Sequence, residues 1–198
     1  MKKALLVVDF QNDFCPGGSL AVPAGNEIIP QVNGYIQYCV RKGWPLFFSR
    51  DWHPAQSAHF QDFGGIWPVH CVQDTAGAQF HPQLQIPANA VIISKGMDPT
   101  RDSYSAFQGE DSQGTSFGQI LKDRDIHELF ICGLATDYCV KSSTLDALKQ
   151  GLKVYVLKDA VAGVDVKSGD SSRALEEMVR QGAVLWNKED FKKLAENS

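Results

Sequence analysis

The amino-acid sequence predicts an α/β domain built on a mostly parallel sheet. Two observations carry this. Short runs rich in Val, Ile and Leu alternate along the chain with stretches of helical period, the pattern of strands joined by helical crossovers. The runs are almost continuously apolar, as in strands covered on both faces. There is no internal repeat and no low-complexity linker, so the 198 residues, 43% of them hydrophobic, are read as one domain, 1–198, with a sizeable core.

In chain order, "KALLVVDF" (3–10) is the first strand. "EIIPQVNGYIQYCVRKG" (27–43) has helical spacing and is closed by Gly43. "PLFFSRD" (45–51) and "AVIISKG" (90–96) are the second and third strands. "SFGQILKDRD" (116–125) is a helix, and "ELFICGL" (128–134) is a buried strand closed by Gly133-Leu134. A helix follows from 137, with Thr136 or Asp137 as its N-cap. "KVYVLKDAV" (153–161) is the fifth strand, "SSRALEEMVRQG" (171–182) a helix, "AVLWN" (183–187) the sixth strand and "EDFKKLAEN" (189–197) a closing helix. Two connections, 52–89 and 97–112, hold no convincing long element. Loops of that length in a compact domain are functional or disordered, and Trp52, His53, His59, Trp67, His70 and Tyr104 within them argue against disorder.

The composition narrows the function classes. Net charge is −4 with no basic cluster, a poor match to nucleic acid. The N-terminal "MKKALLVVDF" is too short an apolar run for a signal peptide or a membrane span, and no later segment approaches a span. The five cysteines are odd in number, scattered and without a CxxC pair. That fits a reduced, cytoplasmic protein better than a disulfide scaffold.

Reactive residues fall at the carboxyl ends of the strands. Strand one ends at Asp9, strand two at Asp51, strand three at Lys95, and strand four leads into Cys139. Ligands of open α/β sheets bind along that edge. Cys139 lies in the first turn of a helix, off the side made by Val140, Thr144, Ala147 and Leu148. There the helix dipole and free N–H groups favour thiolate. Each residue has a plain alternative: Cys139 as a small buried side chain, Asp9 as a turn cap, Lys95 as a solvated strand end. Together, Asp, Lys and Cys suit thiol-based acyl transfer, with a carboxylate as proton acceptor and an ammonium beside the thiol.

"DWHPAQSAH" begins a second constellation. In an extended segment Asp51 and His53 point to one face, and His59 and His70 follow in the same loop. One carboxylate and up to three imidazoles suit zinc, iron or manganese; the alternative is ordinary loop histidines. His81 and His127 have no partners in sequence and are read as structural. Phe14, Trp67 and Tyr104 are candidates to line a pocket for a flat ring, or else anchors of their loops on the core.

Taken together, "VVDFQNDFCPGGSLAV", "RDWHP", "WPVHC", "SKG" and "GLATDYCVKSSTLDAL" resemble the nicotinamidase/pyrazinamidase branch of the isochorismatase-like cysteine hydrolases, from about residue 4 to about 165. The resemblance implies six parallel strands in the order 3-2-1-4-5-6 with helices on both faces. It implies a triad of Asp9, Lys95 and Cys139, and one divalent metal ion on Asp51, His53 and His70. A further ligand varies in position within the family, and His59 stands at one of the distances used. A cis peptide at Leu134–Ala135, an oxyanion hole from the N–H groups of Ala135 and Cys139, and a ring held between Phe14 and Trp67 are also implied. The loop between Lys95 and Tyr104 differs in length among members. The implied substrate is nicotinamide, or a similar pyridine or pyrazine amide such as pyrazinamide, cleaved to the acid and ammonia in NAD salvage. Nucleic acid and membrane are not implied partners, and a homo-oligomer is left open. The competing readings are a metal-independent amidohydrolase and a non-catalytic metal- or nucleotide-binding module. Against nucleotide, no strand is followed by GxGxxG or GxxxxGK[ST].

Overall fold

The computed structural model of the protein describes residues 1–196. Six strands form one sheet: β1 (Lys2–Val8), β2 (Leu46–Asp51), β3 (Val91–Lys95), β4 (Ile126–Leu134), β5 (Lys153–Ala162) and β6 (Val184–Trp186). Their order is β3-β2-β1-β4-β5-β6, and every neighbouring pair is parallel. This is the arrangement that the resemblance implies.

Alternation along the strands divides the core into two layers. Leu5, Val7, Phe48 and Phe130 face one side, packed with Val32, Ile36 and Cys39 of α1 (Ile29–Lys42) and Phe191 of α5 (Lys188–Glu196). Ala4, Leu6, Val8 and Phe47 face the other, against α2 (Phe117–Asp123), α3 (Lys141–Lys149) and α4 (Asp170–Arg180). Both faces of the sheet are thus covered, which explains the continuous apolar runs. Among the described residues no helix is long and apolar enough to cross a membrane.

Several boundaries differ from the sequence reading. β1 stops at Val8, because Asp9 turns into the left-handed region (φ 44°), which Asp tolerates better than most residues. The first helix starts later: Gly25–Ile28 is a single 3-10 turn, and α1 runs from Ile29 with Pro30 in its first turn to a left-handed Gly43. α2 is shorter than 116–125, with Ser116 as its cap. Neither Thr136 nor Asp137 caps a helix with its side chain. Residues Thr136–Val140 form a π turn, and α3 starts at Lys141. The Asp137 carboxylate instead accepts the N–H groups of Val164 (3.0 Å) and Asp165 (2.8 Å). The last position of the expected closing helix, 197, lies outside the described residues.

The two long connections stay largely irregular, with single turns at Gln61–Phe63 and Ala106–Gln108. They fold over the carboxyl edge of the sheet. Between β1 and β4 that edge is unusually tight: a Cβ on Gly133 (φ 111°) would lie 2.2 Å from the Val8 carbonyl oxygen, so only glycine fits there.

Candidate active site

The turn after β1 places Asp9 beneath the edge of the sheet, almost fully buried. Ser49, on neighbouring β2, donates to Asp9 Oδ1 at 2.7 Å. Lys95 Nζ lies 3.0 Å from Asp9 Oδ2, in ion-pair contact but not in hydrogen-bond geometry. The same ammonium contacts Asp51 Oδ1, donates to the Ser103 carbonyl at 3.3 Å and lies 3.6 Å from Cys139 Sγ. Asp9, Asp51 and Cys139 each bring a ligand atom within 4.8 Å of the others, and the cation among them is Lys95. The residues at the ends of the first four strands therefore converge.

Burial sets the protonation of this cluster. It pushes the Cys139 thiol well above its usual range, and the attraction of Lys95 does not offset it. Burial thus opposes the thiolate that the ammonium favours. Burial also raises the Asp9 carboxyl, against the pull of Lys95, making it a stronger base than an ordinary aspartate. Asp51 is buried too, but Lys95, His53 and His70 hold it well below the usual carboxylate range. Burial disfavours the Lys95 charge, yet Asp51 and Asp9 outweigh it and keep the ammonium charged.

The second constellation shares Asp51 with the first, so the two are one continuous site rather than separate units. Asp51 Oδ2 is 3.7 Å from His53 Nε2 and 3.9 Å from His70 Nε2. Each histidine is anchored through Nδ1: His53 to the Gly96 carbonyl (3.0 Å), His70 to the Pro68 carbonyl (2.7 Å) and His59 to the carboxylate of Asp102. Carbonyls and carboxylates only accept, so each Nδ1 carries the proton and each Nε2 keeps its lone pair. One ring nitrogen from each of His53, His59 and His70 lies within 4.8 Å of the other two. His53 Nε2 is buried with no hydrogen-bond partner. Burial lowers His59, and lowers His70 to about 4, which keeps these rings neutral. Neutral imidazoles with Nδ1 tied to an acceptor are the form that binds metal. The donor set Asp51, His53, His59 and His70 fits a divalent ion. His81 and His127 are remote from it: His127 is exposed and pairs with Asp125 at 2.8 Å, while His81 Nδ1 accepts the Gln83 N–H at 3.3 Å.

A cavity connects the two halves. Phe14, Leu20, Trp67, Tyr104, Tyr138 and Val164 form its apolar walls, and Asp51, His59, His70, Leu134, Ala135 and Cys139 complete the lining. It is tight, with about 30 Å³ of free space. Trp67 Nε1 donates to the Tyr104 hydroxyl at 2.9 Å, so Tyr104 does line the pocket. The Leu134–Ala135 peptide bond is cis.

Sequence reasoning did not find several supporting groups. Asp102 holds His59, Ser49 holds Asp9, and Tyr138 packs edge-on against Trp67 with ring centroids 5.0 Å apart. Gln11 was also not singled out. Its buried amide accepts the Asp51 N–H (2.7 Å) and donates to the carbonyls of Asp51 (2.7 Å) and Ala78 (2.8 Å). A usable signal existed only for Tyr138, which immediately precedes the thiol.

Comparison with known proteins decides the family. The isochorismatase domain family matches residues 3–190. The chain belongs to that family. Among relatives of this isochorismatase-family protein, a nicotinamidase of Escherichia coli is 43% identical over 205 residues, covering 96% of each chain. A crystal structure of a pyrazinamidase of Pyrococcus horikoshii in complex with zinc superposes with a TM-score of 0.87 at 46% identity, covering 94% of this chain and 99% of the other. The structure of PnC1 from L. infantum in complex with nicotinate superposes with a TM-score of 0.84 at 34% identity, covering 96% and 94%.

Proposed function

We propose that this protein is an amidohydrolase that cleaves nicotinamide, and pyrazinamide, to the corresponding acid and ammonia through a thioester on Cys139. The observation that carries the reading is the convergence of Asp9, Lys95 and Cys139 beside a set of metal-competent histidines at one end of an aromatic cavity. The similarity to a nicotinamidase and to a nicotinate complex supports the substrate class.

Phe14 and Trp67 hold the ring. Asp51, His53, His59 and His70 are the residues that hold a divalent ion, zinc, iron or manganese, which when bound supplies a Lewis-acid anchor for the pyridine nitrogen. Asp9 takes the proton of the Cys139 thiol as sulfur attacks the amide carbon, and Lys95 stabilises the anion that develops. The N–H groups of Ala135 and Cys139 receive the developing oxyanion. Asp9 then gives its proton to the leaving amine, and ammonia departs. Asp9 next deprotonates a water, which releases the acid and regenerates the thiol. We place this reaction in the cytoplasm, in NAD salvage.

The test is ammonia release from nicotinamide by purified protein, with and without chelator, together with Cys139→Ala. Wild-type turnover that depends on metal, with none in the variant, supports the reading. Full activity in Cys139→Ala, or an acyl adduct on Cys15, Cys39, Cys71 or Cys132, sinks it. Full activity of metal-free protein favours the metal-independent amidohydrolase instead.

A further inference from the structure

The cavity walls and the histidines come from different loops. Phe14 and Leu20 belong to the segment after β1, while His53 and His70 stand on the connection after β2. Apart from single 3-10 turns both segments are irregular, so regular structure does not fix one against the other. Backbone contacts join them past His70, where Asn12 and Asp13 donate to the carbonyls of Gln79 (2.9 Å) and Gly77 (3.0 Å).

Beside His70 the junction is a side chain. Asp13 Oδ2 accepts the Cys71 N–H at 2.7 Å, and Oδ1 receives the Ser19 N–H at 3.4 Å. A backbone N–H on a carboxylate is charge-assisted, and so stronger than a neutral pair. Cys71 is left-handed (φ 46°), an uncommon conformation for a residue of its kind. Its carbonyl accepts the His53 N–H at 3.0 Å. Cys71 is thus joined to His70 by the chain and to His53 by a hydrogen bond, and Asp13 takes its N–H. On the other side, the Asp13 carbonyl accepts the Leu20 N–H at 3.0 Å. Phe14, the next residue, lies against His70 with ring centroids 5.4 Å apart. Gly77 supplies room for the carboxylate. It is not left-handed, but a Cβ there would lie 2.1 Å from Asp13 Oδ2.

We infer that Asp13 is a positioning residue for both halves of the substrate site. It sets the Cys71 peptide between His53 and His70, and it sets the loop that presents Phe14 and Leu20. Asp13 itself does not line the cavity. The inference rests on the metal and amide reading above.

Asp13→Ala removes both acceptors. Competitive chelator titration with zinc should show affinity weakened by about 10–100-fold, the scale for groups that orient a ligand. Amide binding is then read by calorimetry at saturating zinc, with Cys139→Ala in both proteins to prevent turnover. The dissociation constant for nicotinamide should rise by about tenfold, as for loss of a charge-assisted hydrogen bond. Benzamide, read by competition against nicotinamide, should weaken by the same factor, because the loop that carries Phe14 has moved. A loss confined to nicotinamide would mean that Asp13 serves the histidines alone, and overturns the double role. Gly77→Ala keeps Asp13 but displaces its carboxylate, and it covers the case in which Asp13→Ala does not fold. It should reproduce both losses, and the two substitutions combined should not add. A merely structural role predicts a lower Tm with zinc and amide affinities of the folded protein unchanged, and that result in either variant overturns the inference. Wild-type protein that binds neither zinc nor nicotinamide would instead reject the reading of the site.

Discussion

Lys95→Met removes the cation on which the catalytic edge is assembled. The ammonium is buried and sits between Asp9, 3.0 Å away, and Asp51. Methionine replaces the stem but leaves two carboxylates buried at 1% and 3% exposure without their shared partner. Breaking a buried pair by removing one member costs about 3–5 kcal/mol. At about 2–4 °C per kcal/mol for a chain of this size, Tm should fall by about 6–20 °C. The cost should depend on pH. Asp9 already has a raised carboxyl, so stability is lost as pH rises from the ordinary value of 3.8 through its folded value. Asp51 has a depressed one, so its contribution is present above 3.8 and lost as pH falls toward its folded value. Without Lys95 both carboxyls move up, and the folded state takes up protons more readily than wild type does. The variant should therefore be penalised more at pH 8 than at pH 5. Urea unfolding of metal-stripped wild type and variant at the two pH values measures this difference, with the histidine contributions common to both. A cost below about 1 kcal/mol at pH 8, the scale of an exposed pair, or a larger cost at pH 5 than at pH 8, would refute the reasoning.

Other perturbations separate the parts of the site. Asp9→Asn should lower kcat by about 10²–10⁴, the range of a general acid–base group; a loss under about tenfold in steady-state assays would assign the base elsewhere. His53→Ala should lower bound metal, read by elemental analysis, and raise the KM for nicotinamide far more than that for benzamide, which has no ring nitrogen; equal loss for both amides would contradict the anchoring role. Asp102→Asn should weaken metal affinity by about 10–100-fold, as for other groups that orient a ligating histidine. Competitive chelator titration reads this directly, and unchanged affinity would remove His59 from the ligand set.

The sheet was legible because the strands are short runs of mostly aliphatic or aromatic residues set apart by polar, helical stretches. The convergence of Asp9, Asp51, Lys95 and Cys139 followed from the parallel order alone, since parallel strands bring their carboxyl ends to one edge. What escaped was contact across sequence distances with no periodic signature. Asp102 reaches His59 over 43 positions, and Ser49 reaches Asp9 over 40, and neither spacing is distinctive. The burial of Cys139 escaped for a different reason: a helix-start argument weighs dipoles, whereas burial, which raises the thiol, appears only once the loops close over the edge. The fusion of metal ligands and ammonium through Asp51 was missed because one residue was given one role.

Gln11 shows what holds a sheet edge after the sheet has ended. β1 turns away at Asp9, so the next peptide group of β2, at Asp51, has lost its strand neighbour on that side. A primary amide sets donor and acceptor side by side, and Gln11 meets the Asp51 N–H and carbonyl together, with its second N–H on the Ala78 carbonyl. The side chain is a substitute backbone. Strand pairing continues for one more residue while the true backbone is free to bend and carry Asp9 beneath the edge. Few side chains can imitate a peptide in this way. Glutamate cannot donate, asparagine is one methylene shorter, and leucine would take this partner from three backbone groups, the Asp51 N–H and the Asp51 and Ala78 carbonyls.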